Sequence, residues 1–174
     1  MKTRQTSGTL NDCVQMMVNK SLSQRRLYYL NIQQKAPYFP TSKMLENHQV
    51  DVCGLRGICV GIASFASDTT YKTPLVSDSF GPCVPVIAIG RTGTHLAHCN
   101  GSGGIMEYSS NWLPTHRVMV IRKTKHTKQA EVAQAIQDNL KSKGFTQAEM
   151  FDVPFSSSIG IIVIGSTALV YPQK

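Results

Sequence analysis

Cys83 and His98 are the residues of this 174-residue chain whose types and spacing could do chemistry together. They lie at the two ends of one apolar stretch, Ser77-Asp78-Ser79-Phe80-Gly81-Pro82-Cys83-Val84-Pro85-Val86-Ile87-Ala88-Ile89-Gly90 and then Thr94-His95-Leu96-Ala97-His98. A thiol is mostly protonated at neutral pH unless an imidazole or oriented backbone amides favour the thiolate, so a Cys and a His brought together are the minimum for attack on a carbonyl. Val84 to Ile89 is predicted to be a strand, and the glycines at 90 and 93 turn the chain so that His98 returns on a neighbouring strand near the level of Cys83. His95 competes as the base, but in an extended strand it points to the face opposite His98, so only one of them can reach the thiol. Ser77 or Asp78 is placed either to orient the imidazole or to cap a turn.

A hydroxyl six residues before a Cys, a short apolar strand, a Gly turn and an apolar pair leading into His together resemble the Cys-His protein glutamine deamidases. These comprise the chemotaxis deamidase CheD, the catalytic domains of cytotoxic necrotizing factors, and Burkholderia lethal factor. Gly81-Pro82-Cys83-Val84 stands where CheD has Gly-Ser-Cys-Val, Thr94-His95-Leu96-Ala97-His98 approximates the family's turn into its His, and Ser77 falls on the family's Thr. The likeness covers about residues 73–100, and beyond them only the order of elements. It implies Cys83 as nucleophile, His98 rather than His95 as base, and Ser77 as the third member. It also implies a protein substrate presenting a glutamine, with no cofactor and no metal. The implied fold is α+β, a mixed β-sheet or β-sandwich core flanked by helices. About eighty residues precede Cys83, and the Gly-Gly-Ala motif usual near the CheD C-terminus is absent. Both features bring the host-directed toxin or effector branch closer than the chemoreceptor branch, which works in the bacterial cytoplasm. With an amine in place of water the same site is a transglutaminase.

Stepping from the pair to the chain around it, 174 residues make one domain large enough for a real core. Five cysteines (13, 53, 59, 83 and 99) are an odd number without framework spacing, which suits a reducing compartment. No apolar segment follows the N-terminus as in a signal peptide, and the longest apolar run, Ile159 to Gly165, is too short to span a bilayer. The expected location is a bacterial cytoplasm or the cytosol of a host cell. Charge is uneven: residues 1–45 carry a net +6 and residues 46–174 a net +2. Lys20, Arg25, Arg26 and Lys35 read as the solvated face of a helix, and no aromatic pattern of RNA recognition accompanies them, so nucleic acid is not the expected partner.

Around the site, apolar spacing predicts one or two helices over 11–34, a loop over 37–49, and paired buried strands over 50–63. A polar, turn-forming approach follows over 69–80, then a strand at Arg117 to Arg122, a helix at Lys128 to Lys143 stopped by Gly144, and closing strands at 159–165 and 168–171. Such elements lack a regular βαβ alternation, which argues for an α+β layer or sandwich. Gly101-Ser102-Gly103-Gly104 lacks the Lys of a phosphate loop and is expected to be a mobile loop at the mouth of the site. Two other classes compete with the enzyme. One gathers Cys83, His95, His98 and Cys99 around zinc, at poor spacing. The other is a non-enzymatic binding domain that uses the basic N-terminal segment as its contact surface, and on the favoured reading the chain is expected to be a monomer.

Overall fold

The computed structural model describes residues 3–19, 26–30, 39, 41 and 46–173. The described elements run β1 (Arg4–Thr6), α1 (Leu10–Val18), β2 (Arg26–Leu30), β3 (His48–Val52), β4 (Leu55–Cys59), β5 (Phe65–Asp68), β6 (Leu75–Phe80), β7 (Val84–Gly90), β8 (Gly93–Cys99), α2 (Ile105–Tyr108), β9 (Arg117–Lys123), α3 (Thr127–Ser142), β10 (Glu149–Val153), β11 (Ile159–Ile164) and β12 (Thr167–Pro172). They form two mixed sheets. One has the order β1-β2-β12-β11-β6-β4-β3, the other β10-β9-β7-β8-β5. The α+β class with a sheet-on-sheet core is therefore what the chain adopts.

Strand parity explains the layering. Alternate residues of each central strand enter different clusters: Ile87, Leu96, Met119 and Ile121 meet Leu75, Phe80, Ile161 and Val170 between the sheets. Val86, Ala97, Val118 and Val120 face outward and are covered by Ile105 of α2 and by Ala133, Ile136 and Leu140 of α3. On the far side, Cys13, Val14 and Met17 of α1 cover Val76, Ile162, Leu169 and Tyr171. The order is helix, sheet, sheet, helix, and the central strands β7, β8, β11 and β12 are buried on both faces, so β7 and β11 read as nearly continuous apolar runs.

The helix termini are fixed locally. Thr9 accepts from Asp12 N while the Asp12 carboxylate accepts from Thr9 N, a capping box that starts α1. At the end of α3, Gly144 sits at φ 109° while its N–H reaches Lys141 O and that of Phe145 reaches Leu140 O, the paired bonds of a left-handed stop.

Three expectations change. The helical reading over 11–34 ends at Val18, and Arg26–Leu30 is instead a strand parallel to both β1 and β12. Leu27 and Tyr29 face the inter-sheet layer and Tyr28 and Leu30 the α1 layer, a two-residue alternation that the nearby helical spacing masked. Lys20, Arg25, Lys35, the Arg26 side chain and most of the expected loop over 37–49 lie outside the described residues, and β3 opens at His48. Of the polar approach over 69–80, residues 69–74 are irregular as expected, but Leu75–Phe80 is β6, a central strand, because Ser77 and Asp78 find buried partners there. Strands β1, β5 and β10 were not expected.

Pro85 is the least expected residue of the hydrogen-bonded core, since β7 is a central strand and proline cannot donate to a ladder. Its partner on β8 is His98, whose N–H and C=O both turn away to Ser64 O and Ala63 N, so no bond is missing on that side. On the other side the register sets Pro85 against Ile121. The Ile121 carbonyl accepts instead from Gln129 Nε2 at 2.9 Å. Gln129, fully buried on α3, also accepts Lys123 N at 2.7 Å and reaches Cys83 O at 3.5 Å. It thus does for β7 what a backbone amide would have done. Gln129→Leu leaves Lys123 N and Ile121 O buried without partners and is expected to cost about 2–4 kcal/mol by urea unfolding, against less than about 0.5 for Gln134→Leu on the exposed face of the same helix.

Candidate functional site

The site lies between the sheets, at the end of the β7–β8 hairpin away from its turn. The register pairs Val84 with Cys99 and Pro85 with His98, so Cys83, one step further, stands across from Asn100. Cys83, Pro85, Ile87 and Ile89 share a parity with Leu96 and His98, and this face meets the other sheet. Cys83 and His98 are therefore diagonal neighbours on one face, at a separation of about 7–8 Å between such Cα atoms, which side chains can close. Cys83 is 7% exposed and His98 wholly buried.

Strand β6 of the other sheet holds the imidazole. Its register with β11 pairs Ser77 with Ile161 and Phe80 with Ile159, three residues against two, so one extra residue bulges. Ser79 takes the strain at φ 60°. Without the bulge Phe80 would point to the α1 side; with it Ser77 and Phe80 both face inward and grip His98. Phe80 stacks on the ring at 3.9 Å between centroids and 17° between planes. Ser77 Oγ lies 2.8 Å from His98 Nδ1 and 2.8 Å from Val60 O.

That pair of bonds fixes the tautomer. The carbonyl of Val60 can only accept, so the Ser77 hydroxyl donates to it and takes its other bond from Nδ1–H. Nε2 is then the unprotonated nitrogen, and it is buried with no hydrogen-bond partner among the described residues. An acceptor lone pair left open inside a core costs free energy, and Nε2 could take a hydrogen bond from a donor brought to it. In this structure the Cys83 thiol donates elsewhere, to Asn100 Oδ1 at 3.6 Å. Transfer of its proton to His98 requires Sγ to turn from Asn100 toward Nε2.

Burial sets the charges. The His98 imidazole is pushed down to about 3, so it is neutral at physiological pH. Burial pushes the Cys83 thiol up, against the pull of the Lys123 ammonium. Lys123 itself is pushed down to about 8 by burial, with Cys83 acting in the opposite sense. Its Nζ donates to Phe80 O at the end of β6 at 2.8 Å and to Ser157 O in the segment before β11 at 2.9 Å.

The other candidates separate cleanly. His95 points to the outer face, with Nδ1 2.6 Å from Ser67 Oγ and Nε2 2.9 Å from Thr92 Oγ1, and it packs against Trp112. It is placed away from Cys83. Asp78 faces the α1 side, accepting from Phe39 N and Ser79 Oγ, so Ser77 is the residue that holds His98. Cys99 and His95 occupy one face of the sheet and Cys83 and His98 the other, which keeps the four from surrounding one ion. Ser102 O is fixed by Asn139 Nδ2, and the glycine-rich segment runs from β8 into the four-residue α2. Among the described residues no helix is long and apolar enough to cross a membrane.

Asn100, Lys123, Gln129 and Phe80 were missed as members of the site. Only Lys123 left a signal: Met119, Ile121 and then Lys123 continue the inward parity of β9, which puts a lysine where a hydrophobe is expected.

No protein-family model and no curated protein sequence matches the chain. The residues themselves carry the functional argument.

The depressed histidines give a pH dependence. A histidine that titrates lower in the folded than in the unfolded chain contributes stability that is complete above about 6.5 and is lost as pH falls, because the unfolded chain takes the proton first. His98, held to about 3, and His95, pushed down to about 4 by burial and by His116, both act over pH 6.5 to 4. Unfolding free energy is expected to fall by up to about 1.4 kcal/mol per pH unit for each. His98→Asn should remove about one proton's worth of that slope in urea titrations between pH 7 and 5; an unchanged slope would show that His98 is not held neutral.

Proposed function

We propose that the chain is a Cys-His amidohydrolase that converts the side-chain carboxamide of a glutamine in a target protein to a carboxylate. The observation that carries this reading is the fixed tautomer: Ser77 takes Nδ1–H and leaves His98 Nε2 as a bare acceptor, on the same face as the Cys83 thiol. The likeness of residues 73–100 to the glutamine deamidases supplies the substrate class, and favours a bacterial toxin or effector acting on a host protein.

In this chemistry His98 Nε2 takes the thiol proton as Sγ attacks the carboxamide carbon, and the carbonyl electron pair moves onto oxygen. Pro82 has no amide hydrogen to offer. The N–H of Cys83 and the carboxamide of Asn100, turned to present Nδ2, are the donors in reach of that oxygen. Burial makes the His98 imidazolium a strong acid, so it readily returns its proton to the nitrogen, the C–N bond breaks, and ammonia leaves with the thioester in place. A water then loses a proton to Nε2 and attacks the thioester, and the thiol departs reprotonated. The product is glutamate; an amine in place of water would give the transglutaminase outcome.

The decisive experiment is incubation with cell lysate and mass mapping of glutamines that gain about one mass unit. Cys83→Ser is expected to abolish the conversion with the melting curve unchanged, and His98→Ala to do the same. His95→Ala, on the other face, should retain most activity. The reverse ranking of the two histidines would move the base to the Ser67 side of the sheet.

Ser77→Ala removes the acceptor that fixes the tautomer but neither reacting group. The expected outcome is a ~10–100-fold lower rate with Cys83 still open to alkylation, consistent with a group that orients a base rather than serving as one. An undiminished rate would mean that Phe80 stacking alone positions the ring.

A further inference from the structure

Lys123 is wholly buried, and among the described residues no carboxylate forms an ion pair with it. An ammonium in that position is costly unless a counter-charge is near, and two carbonyls, Phe80 O and Ser157 O, satisfy only two of its three N–H groups. Phe80 lies three residues before Cys83. Gln129 ties the backbone of Lys123 to the carbonyl of Cys83, so thiol and ammonium are attached to one small rigid frame.

The groups around the thiol leave few candidates for a counter-charge. From β8 come the neutral His98, Cys99 on the opposite face, and Asn100. The end of β6 contributes the uncharged Phe80, α3 contributes Gln129, and β9 contributes Lys123. A thiolate beside an imidazolium, the usual arrangement for a Cys-His pair, has no support here, because His98 sits in an apolar layer under Phe80 with no acid to hold a second proton.

We infer that the Lys123 ammonium, rather than a charged residue elsewhere in the site, is the counter-ion that stabilises the Cys83 thiolate as it forms. This rests on the reading of Cys83 as the nucleophile, and it assigns the activation of that nucleophile to a lysine on a third strand. Lys123 is a positioning and electrostatic residue: it never bonds to substrate, but it lowers the free energy of the anion that does. His98 Nε2 still takes the thiol proton as the anion forms, returns it to the leaving nitrogen and then takes one from water, while Lys123 keeps its own proton throughout.

The test needs no glutamine substrate. The rate at which iodoacetamide alkylates Cys83, read by mass spectrometry across pH 5–10, gives the thiol titration directly. Lys123→Met is expected to move its midpoint up by at least one pH unit, which lowers the rate at pH 7 about tenfold or more. Lys123→Arg should hold the midpoint within about half a unit, and so should His98→Ala. An unmoved midpoint in Lys123→Met overturns the inference, as does a full shift in His98→Ala. Should Lys123→Met fail to fold, nitrogen NMR of Lys123 Nζ in the native protein decides: carbamidomethylation of Cys83 must lower the lysine's titration midpoint, and an unchanged one overturns the pair. A shifted alkylation profile with no glutamine conversion in lysate would sink the deamidase reading and leave the ion pair standing. Conversion with an unmoved profile would do the opposite.

Discussion

The hydrogen bond from His98 Nδ1 on β8 to Ser77 Oγ on β6 crosses the apolar layer between the sheets at the site, and the placing of the ring between them follows from it. Imidazole is polar on two sides, so burying it wholly demands partners for both nitrogens. Ser77 answers for one, and the bulge at Ser79 lets Phe80 cover the ring's face in the same turn of chain. Nothing answers for the other. The resulting imbalance falls on one atom of the ring, Nε2.

The same economy of partners runs through the surroundings. Pro85 removes a ladder donor opposite Ile121, Gln129 fills the gap, and in doing so it fixes the two residues on either side, Cys83 and Lys123. A regular ladder would have held β7 and β9 equally well but would have left α3 with no connection to the thiol. The proline therefore converts a backbone contact into a side-chain clamp that reaches from a helix to the nucleophile. Buried polar groups of this kind are costly when half-satisfied, and here the ones that touch Cys83 and Lys123 are satisfied by each other.

How much of this could be read from the sequence depended on whether the signal was local. The β7–β8 hairpin, the separation of His95 from His98 by parity, the α3 helix with its Gly144 stop, and the β11–β12 pair all rest on spacing within about twenty residues. Each is present. Strand β6 was hidden because Ser77, Asp78 and Ser79 are polar, and their burial makes sense only once Val60, His98 and Phe39 are in place from elsewhere in the chain. Strand β2 was hidden by helical spacing that continued past the true end of α1. Gln129 looked like one more polar residue of an amphipathic helix, and Asn100 like part of a glycine-rich loop. Only pairing across 46 and 17 residues gives them their roles.

The charge count around the thiol bears on what it can accept. His98 is neutral and Lys123 carries the positive charge, so of these groups it is the lysine that acts as a cation on the Cys83 thiol. A neutral carboxamide enters such a site without displacing that charge, whereas a carboxylate would arrive as a competitor to the thiolate for Lys123. On the proposed chemistry the reaction turns the first into the second. The anion that attacks, the oxyanion that forms and the carboxylate that leaves would then pass in turn under the influence of one fixed ammonium, and a low dielectric strengthens each of those interactions. Such a site favours the tetrahedral state over the neutral substrate, because the negative charge it stabilises is absent from the amide and develops only as the carbon–sulfur bond forms.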